Sequence, residues 1–345
     1  MRRRHAAAAA LLWCAPAWSA QRGPNARGAH GNKAYGRRGD VLAAARSIAA
    51  EHALDTGWVE ATLAQARFVP DVAQLIMPAT MSAARNWSAY RARFVEARRI
   101  EAGARWWRDN DSWLGHAAER FGVPADIVVG IVGVETYYGR VSGSFRVLDA
   151  LATLSFDFPS GRSDRSGFFR SELGHFLRLA SREGWDATAV LGSYAGAMGL
   201  PQFMPSSVIN YAIDFDGDGR IDLVTSSADA IGSVARFLQG HGWQRGMPTH
   251  YAVEPPTDIM QRALLLVPDI VPSFNPAQMV ERGARLDEAA LRHDGSLALI
   301  QLHNAEAPPS YVAGTQNFYA LTRYNASSYY ALAVIELGRA VAAAR

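Results

Sequence analysis

The sequence comprises 345 residues, of which 49% are hydrophobic and 19% charged, a composition that excludes a disordered chain and suffices for two or more domains. The formal net charge of +3 equals the number of arginines in residues 1–20, so the remaining chain is balanced and does not indicate nucleic-acid binding. The single cysteine, Cys14, excludes an intrachain disulfide and a thiolate metal cage.

Residues 1–20 have the features of a secretory signal peptide. Three arginines precede an apolar run from Ala6 to Trp13, and small residues follow near Ala20, where a signal is cut. The run is too short to span a bilayer, and no later segment is long and apolar enough to be a transmembrane span. We therefore predict an exported, periplasmic protein, with lipid attachment at Cys14 as an alternative fate of this segment.

Residues 21–39 are rich in Gly and Arg without periodicity, and we predict a flexible leader. They contain Lys33, the only lysine of the chain. Phosphate loops, pyridoxal enzymes, kinases and Ser–Lys hydrolases each need a lysine in the site, so all four classes are excluded. The chain also lacks the G-x-S-x-G, H-E-x-x-H and G-x-G-x-x-G motifs. Any catalysis must come from carboxylates, and we predict no catalytic cofactor.

Residues 40–110 have the apolar periodicity of helices and are predicted to form an N-terminal helical domain. Asp40 and Asp55 precede two of the helical segments and are predicted N-caps, while Pro70 and Pro78 interrupt the periodicity. A second helical block follows, which we predict to be the core of the protein.

The segment PADIVVGIVGVETYYGR, residues 124–140, predicts an apolar helix with one carboxylate, Glu135, in its last turn. The negative end of the helix dipole and the apolar neighbours both disfavour an ionised carboxylate, which predicts a raised pKa for Glu135. A carboxylic acid that stays protonated near neutral pH can protonate the leaving oxygen of a glycoside, and the nearby Tyr137 and Tyr138 are placed to line a sugar groove. The alternative is a solvated glutamate that pairs with Arg140.

The segment SYAGAMGLPQFMPSS, residues 193–207, combines several small residues with one amide, Gln202. Small residues allow a flat ligand to approach the backbone, and Gln202 can donate to and accept from hydroxyls or acetamides. A close helix crossing that requires Gly and Ala is the alternative explanation.

The segment DFDGDGRID matches the start of an EF-hand calcium loop, with Asp at positions 1, 3 and 5 and Gly at position 6. Three aspartates at alternate positions repel one another unless a cation lies between them. Position 12 departs from the pattern, because Thr225 replaces the expected Glu, and Asp229 is placed to close the site four residues later. We predict a structural Ca²⁺ site, with a solvated acidic turn as the alternative. Its predicted residues are Asp214, Asp216, Asp218, Arg220 and Asp229.

After residue 243 the pattern changes to short apolar runs between prolines and glycines, which predicts strands in THYAVEPP, RALLLVPDIVP and GSLALIQLHN. The stretch from QNFYALTRYN onward is helical again. The predicted fold class is therefore α+β, mainly α. The predicted organisation is a signal peptide (1–20), a flexible leader (21–39), an N-terminal helical domain (40–110), a catalytic core (111–250), a small β-containing insert (251–300) and a C-terminal segment that closes the core and groove (301–345).

Several longer sequence motifs occur in order within residues 105–340: GVETYYGR, LDALATLSFDFP, YAGAMG, QFMPSS, DGDGRIDL, DAIGSVARFLQGHGW and NFYALTRYN. Together they resemble the membrane-bound lytic murein transglycosylase B family. The resemblance implies a lysozyme-like core with a helical domain and a small β domain. It also implies that the substrate is the glycan strand of peptidoglycan, cleaved between N-acetylmuramic acid and N-acetylglucosamine to leave a 1,6-anhydromuramyl end.

The resemblance further implies roles for individual residues. Glu135 matches the single catalytic acid/base of the family. The muramyl C6 hydroxyl attacks C1 in these enzymes, so an internal nucleophile replaces water and a second carboxylate. Arg162 and Arg165 are candidates for muramyl or peptide contacts. The implied substrate-binding residues are Ser193, Gln202, Tyr324, Asn325 and Tyr330, beside the Tyr137 noted above.

Two other functions are compatible with the same sequence. A hydrolytic muramidase would activate water with a second carboxylate, for which Asp157 is the candidate. A non-enzymatic scaffold would bind glycan strands and present them to cell-wall synthesis proteins, which are also the predicted protein partners.

Overall fold

The computed structural model describes residues 34–36, 38–77 and 86–345. The predicted signal peptide with Cys14, most of the predicted leader, and Pro78 lie outside these ranges. The described residues are mainly helical with a few short strands, which confirms the predicted fold class. In chain order their elements are α1 (Gly39–His52), α2 (Thr56–Leu63), α3 (Pro70–Leu75), α4 (Trp87–Phe94), α5 (Ala97–Asp109), α6 (Asp111–Phe121), α7 (Ala125–Thr136), β1 (Phe145–Arg146), α8 (Val147–Phe156), α9 (Ser166–Glu183), β2 (Leu191–Gly192), α10 (Pro205–Tyr211), α11 (Ser227–Gly240), β3 (His250–Glu254), α12 (Ile259–Leu266), α13 (Pro276–Glu281), β4 (Arg285–Leu286), α14 (Glu288–Leu291), β5 (Ala298–Asn304), β6 (Ala307–Gly314), α15 (Gln316–Tyr324) and α16 (Ser328–Ala343).

Backbone packing divides the described chain into two compact units. The Glu135 unit comprises residues 34–36, 38–77 and 131–237, and the sheet unit comprises residues 86–130 and 238–345. Each unit is assembled from separate stretches of the chain. The domain boundaries given above remain predictions.

The core of the Glu135 unit is built around α8, in which every residue from Val147 to Ser155 is buried. Helix α8 packs against α9 and α3, and α1 packs against α2 and α9. Leu173, Phe176 and Leu177 of α9 follow helical spacing and are fully buried. Burial of each such side chain contributes roughly 1.5–3 kcal/mol, so this helix pair stabilises the unit.

In the sheet unit, α16 packs against α4 and α5 and lies close to the first part of α7. A Cβ on Gly130 would lie 2.2 Å from the carbonyl oxygen of Val334, and a Cβ on Gly338 would lie 2.1 Å from that of Asp126. Only glycine permits this approach of two helix backbones.

The same unit contains an antiparallel sheet with strand order β4-β3-β6-β5. A separate small core, formed by Leu265, Met279, Ala284, Leu297, Leu299 and Ala313, covers the sheet. The predicted strands in THYAVEPP and GSLALIQLHN are confirmed as β3 and β5.

The predicted strand in RALLLVPDIVP is wrong, because its first half belongs to helix α12. The side chain of Asp258 caps this helix by accepting from the backbone N–H groups of Met260 (2.7 Å) and Gln261 (3.1 Å). A short continuous apolar run is equally compatible with a helix and a strand, so periodicity did not distinguish them.

Strand β6 was not predicted, because its sequence contains two adjacent prolines, Pro308 and Pro309. Both precede the region paired with β3, which begins at Val312, so their missing N–H groups do not interrupt that ladder.

The predicted N-cap at Asp55 is confirmed, since its side chain accepts from the backbone N–H of Trp58. The predicted N-cap at Asp40 is wrong: Arg38 occupies that position, and Asp40 lies in the first turn. Arg38 donates to the Asp40 carboxylate at 2.7 Å, so the aspartate is paired with a guanidinium. None of the helices within the described ranges has the length and apolar character needed to cross a bilayer.

Candidate active site

Glu135 lies in the last turn of α7, as the sequence predicts. Every residue from Ile127 to Gly133 is buried, whereas Glu135 is partly exposed. The carboxylate is therefore at the point where an apolar helix leaves the core.

Three consecutive residues after α7 have left-handed backbone conformations: Tyr137 (φ 53°), Tyr138 (φ 59°) and Gly139 (φ 84°). The N–H of Tyr138 donates back to the carbonyl of Val132 at 3.3 Å and closes the helix end. Left-handed tyrosines are strained, and such strain persists only where the surroundings hold it. The strain at this position marks a candidate functional site.

Thr136 fixes this turn to a second loop. Its hydroxyl, which is fully buried, donates to the carbonyl oxygen of Leu200 at 3.1 Å, with that of Val132 as a second acceptor at 3.3 Å. The hydroxyl oxygen of Thr136 also accepts from the N–H of Gly139 at 3.1 Å. The residue next to Glu135 thus joins α7, the left-handed turn and the loop that contains Gln202.

Ser193 organises the turn that follows β2. Its Oγ accepts from the N–H groups of Ala195 (3.3 Å) and Ala197 (3.0 Å), and its own N–H donates to the carbonyl of Ala197 at 2.8 Å. Because Oγ is used as an acceptor, its hydroxyl proton remains available to donate.

Gln202 also has a left-handed backbone, with φ 49°. Its Nε2 donates to the carbonyls of Gly199 (2.9 Å) and Ser142 (3.2 Å). These bonds orient the side-chain amide and leave its oxygen as the available acceptor.

The glycines of YAGAMG are packed against the protein itself. A Cβ on Gly196 would lie 2.5 Å from Leu151, and one on Gly199 would lie 2.5 Å from the carbonyl oxygen of Leu223; both glycines also have positive φ. This supports close internal packing, here of a loop rather than of two helices, as the reason for the small residues.

The structure therefore brings four of the predicted site residues around one segment, residues 136–143. Glu135 and Tyr137 flank Thr136, Gln202 donates to Ser142, and the backbone before Ser193 lies against Gly143. Thr136 and Ser142 are not among the residues predicted from the sequence. Thr136 could have been found from the sequence, because it is a polar residue at the end of a long apolar helix.

The other three predicted binding residues belong to the sheet unit. The rings of Tyr324 and Tyr330 stack at a centroid distance of 6.2 Å and an interplanar angle of 15°. Tyr330 is 1% exposed whereas Tyr324 is partly exposed, so Tyr330 is the inner ring of the pair. Asn325 follows α15 in an extended conformation and separates it from α16. Its buried Oδ1 has no hydrogen-bond partner among the described residues.

The candidate second carboxylate, Asp157, is held in an ion pair. Its Oδ2 accepts from the hydroxyl of Tyr35 at 2.6 Å and from the guanidinium of Arg38 at 2.7 Å. Burial and the neighbouring Asp157 carboxylate raise the pKa of Tyr35. Asp157 thus uses Oδ2 to hold Tyr35 and Arg38.

Arg162 and Arg165 both lie over aromatic rings. Arg162 donates to the carbonyl of Ile76 and lies 5.8 Å from the ring centre of Phe158, and Arg165 lies 4.6 Å from that of Phe168. Burial lowers the pKa of Arg165. Their role in binding remains a prediction.

The acidic loop between α10 and α11 assembles a cluster of carboxylates. One oxygen from each of Asp214, Asp216 and Asp229 lies within 4.8 Å of the others. Asp229 is 1% exposed, and burial together with the charge of Asp216 raises its pKa. Its two oxygens accept from the N–H groups of Phe215 and Asp222, both at 2.7 Å, so the loop folds around this carboxylate. This donor set fits a hard divalent cation such as Ca²⁺.

The remaining two residues of the predicted metal set are peripheral to the three carboxylates. Asp218 Oδ1 accepts from the backbone N–H of Arg220 at 2.8 Å, and both residues are exposed. Thr225, at loop position 12, donates to Asp222. The participation of Asp218 and Arg220 remains a prediction.

Comparison with known proteins connects these features to a family. A family model described as the transglycosylase SLT domain matches residues 38–339. The membrane-bound lytic murein transglycosylase B of Escherichia coli strain K12 is 40% identical over 264 residues, which cover 75% of this chain and 68% of that protein.

Solved structures agree with this assignment. Catenated SltB1 from Pseudomonas aeruginosa has a TM-score of 0.82 and 37% identity, over 90% of this chain and 99% of that chain. Slt35 from Escherichia coli in complex with calcium has a TM-score of 0.78 and 36% identity, over 90% and 94%. SltB3 from Pseudomonas aeruginosa in complex with NAG-anhNAM-pentapeptide has a TM-score of 0.70 and 28% identity, over 86% and 77%. The chain therefore belongs to the transglycosylase SLT domain family and has the lysozyme-like fold of these lytic transglycosylases.

Proposed function

We propose that this protein is a lytic transglycosylase that cleaves the β-1,4 bond between N-acetylmuramic acid and N-acetylglucosamine in peptidoglycan and leaves a 1,6-anhydromuramyl end. The observation that carries the proposal is the placement of Glu135, at the end of a buried helix and beside a strained turn that Thr136 holds. The names of the relatives, and the anhydro-sugar ligand of SltB3, support the same reaction.

In the proposed reaction Glu135 first donates a proton to the oxygen that joins muramyl C1 to the next sugar. As that C1–O bond breaks, the muramyl C6 oxygen forms a bond to C1, and the substrate acetamide stabilises the positive charge that develops. The Glu135 carboxylate then accepts the proton of the C6 hydroxyl. No water is consumed, and Glu135 ends in its initial protonated form.

The environment of Asp157 favours this reaction over hydrolysis. A hydrolytic muramidase needs a second carboxylate free to activate water or to attack the sugar. Asp157 instead accepts from Tyr35 and Arg38 through one oxygen, so its carboxylate is already paired. An internal hydroxyl nucleophile needs no such residue, because the substrate itself holds it near C1.

The predicted binding residues of the two units have proposed roles. The Ser193 hydroxyl and the Gln202 side-chain oxygen are a donor and an acceptor for acetamide groups of the glycan. Tyr137 and Tyr324 offer ring faces to the sugars, and Tyr330 supports Tyr324 from behind. The buried Oδ1 of Asn325 has no donor among the residues that the structure describes, and an acetamide N–H of the substrate would satisfy it.

We further propose that the loop containing Asp214, Asp216 and Asp229 holds a structural Ca²⁺, with Asp218 and the backbone of Arg220 completing the site. The calcium complex of Slt35 supports this choice of ion. The metal would offset the repulsion between the clustered carboxylates and join α10 to α11.

The proposed place of action is the periplasm, where peptidoglycan is the substrate. The segment before the described residues, with its arginines, apolar run and Cys14, supports export and leaves lipid attachment as a further proposal. Proteins of cell-wall synthesis are the proposed partners.

The decisive experiment is digestion of purified sacculi followed by mass spectrometry of the released muropeptides. Wild-type protein is expected to release 1,6-anhydromuropeptides, and Glu135→Gln to release none while its melting temperature is retained. Products with reducing ends would instead establish a hydrolase, and binding of sacculi without any release would establish a scaffold.

A further inference from the structure

Two tryptophans of the Glu135 unit line a cleft that the proposed active site does not use. The cleft has a volume of about 290 Å³ and is lined by Asp55, Trp58, Ala180, Ser181, Gly184 and Trp185. We refer to these six residues as the tryptophan cleft. None of them belongs to the segment around Glu135 or to the acidic loop.

Capping of two helices fixes both tryptophans in place. Trp58 lies in the first turn of α2, where its N–H donates to Asp55 Oδ1 at 2.7 Å. Trp185 follows the left-handed Gly184 (φ 65°) at the end of α9, where its N–H donates to the carbonyl of Ala180 at 2.9 Å. Such bonds fix the backbone from which each indole projects.

Both indoles are partly exposed, and neither stacks on another aromatic ring within the described parts of the chain. The contrast with two other tryptophans is clear: Trp107 and Trp243 are buried, and their indole N–H groups donate to Asp111 (3.2 Å) and to the carbonyl of Gly122 (2.9 Å). Among the described residues, no acceptor faces the indole N–H of Trp58 or Trp185. Exposed aromatic surface with an unused donor is typical of a binding surface.

The polar groups of the cleft select the chemistry of its ligand. Asp55 uses Oδ1 for the helix cap, so Oδ2 remains available to accept from a hydroxyl, and Ser181 adds an exposed hydroxyl. With a carboxylate and no arginine or lysine in its lining, the cleft does not suit a phosphate or another anion. Flat apolar faces beside hydroxyl-binding groups suit a pyranose ring, whose C–H groups contact the indole while its hydroxyls bond to the rim.

We propose that the tryptophan cleft is a second saccharide-binding site, which holds one N-acetylhexosamine ring of the glycan strand apart from the bond that is cleaved. The identity of the strand rests on the function proposed above. The volume of about 290 Å³ is at the lower limit of ligand pockets, roughly 300–1,000 Å³, which suits a single sugar ring. Such a site increases the effective concentration of an insoluble polymer at the enzyme.

Binding can be observed directly by fluorine NMR of the Glu135→Gln protein labelled with 5-fluorotryptophan. Trp58→Phe and Trp185→Phe variants assign the two resonances. Titration with the β-1,4-linked tetramer of N-acetylglucosamine is expected to shift both resonances in a saturable way. If neither shifts, or if the free stem peptide of peptidoglycan shifts them and the tetramer does not, the proposal is wrong. This titration needs no activity, so it remains interpretable if the protein proves not to form anhydro ends.

The contribution to turnover is measured as the ratio of the rate on intact sacculi to the rate on short soluble glycans. Trp58→Ala with Trp185→Ala is expected to lower this ratio by about tenfold, the effect of losing one or two aromatic contacts. Trp113→Ala, which removes a partly exposed tryptophan on α6, is the matched control and is expected to retain the ratio. An unchanged ratio in the double variant would overturn the proposal.

Discussion

At the scale of single residues, the candidate active site contains non-glycine residues with strained, left-handed backbone conformations. Tyr137, Tyr138 and Gln202 account for three of the non-glycine residues with positive φ in the described chain. Each costs of the order of 1 kcal/mol and persists because specific hydrogen bonds hold it. Thr136 makes the central set of these bonds, with partners in α7, in the turn and in the second loop.

We expect Thr136→Val to impair positioning of Glu135. Valine keeps the volume of the side chain but removes the bonds to Leu200 and Gly139, so kcat for release of anhydromuropeptides should fall about tenfold with little change in KM. Thr136→Ser retains the hydroxyl and should restore most of kcat. Equal losses in the two variants would show that the methyl group, and not the hydrogen bonds, is what matters.

Asn325, a proposed substrate-binding residue, is expected to lower the stability of the fold. Its buried Oδ1 has no hydrogen-bond partner in the described ranges of the chain, and an unpaired buried polar group costs about 1–3 kcal/mol. Asn325→Leu should therefore raise the melting temperature while lowering kcat/KM on sacculi about tenfold. Asn317→Leu is the matched control in the same unit, because Asn317 is fully buried and bonded to Gln244 and Met247, and should lower the melting temperature.

At the scale of elements, the acidic loop between α10 and α11 is folded around a carboxylate of α11, that of Asp229. Asp229 lies in the first turn of α11, where the positive end of the helix dipole favours a negative charge. It nevertheless lies within 4.8 Å of Asp214 and Asp216, so the three charges oppose one another without a cation. The order of the loop should therefore depend on a bound metal.

Removal of calcium with EDTA is expected to lower the melting temperature of the wild-type protein. A ligand at a hundred times its Kd stabilises the fold by about 2.7 kcal/mol, which is several degrees for a protein of this size. Asp216→Asn should melt at the same temperature with and without calcium, since it removes a ligand and relieves repulsion. Asp186→Asn, an exposed aspartate outside the loop, serves as the control and should keep the difference.

At the scale of the whole molecule, the sequence predicted those features that depend on residues close together in the chain. The apolar period predicted α7 and the place of Glu135, and the spacing of aspartates predicted the cluster around Asp229. Long-range contacts could not be predicted in this way. The bond from Thr136 to Leu200 and the pairing of Asp157 with Arg38 join residues distant in sequence, so no local pattern indicates them. Strand β6 shows the same limit, since Pro308 and Pro309 lie before the residues paired with β3 and at the irregularity of the ladder with β5.

His250, at the start of β3, makes the stability of the molecule depend on pH. Burial, with a smaller effect of the Arg339 charge, lowers its pKa from 6.5 to about 4, so the folded protein keeps it neutral while the unfolded chain takes up a proton below pH 6.5. Its contribution to stability is present in full above pH 6.5 and is lost as the pH falls toward 4, by about 3 kcal/mol in total. We expect the free energy of unfolding, measured by urea titration, to fall less over this range in His250→Gln than in the wild-type protein. The same substitution at the exposed His303 controls for the loss of a histidine as such, and an unchanged pH profile in His250→Gln would show that other groups govern the acid sensitivity.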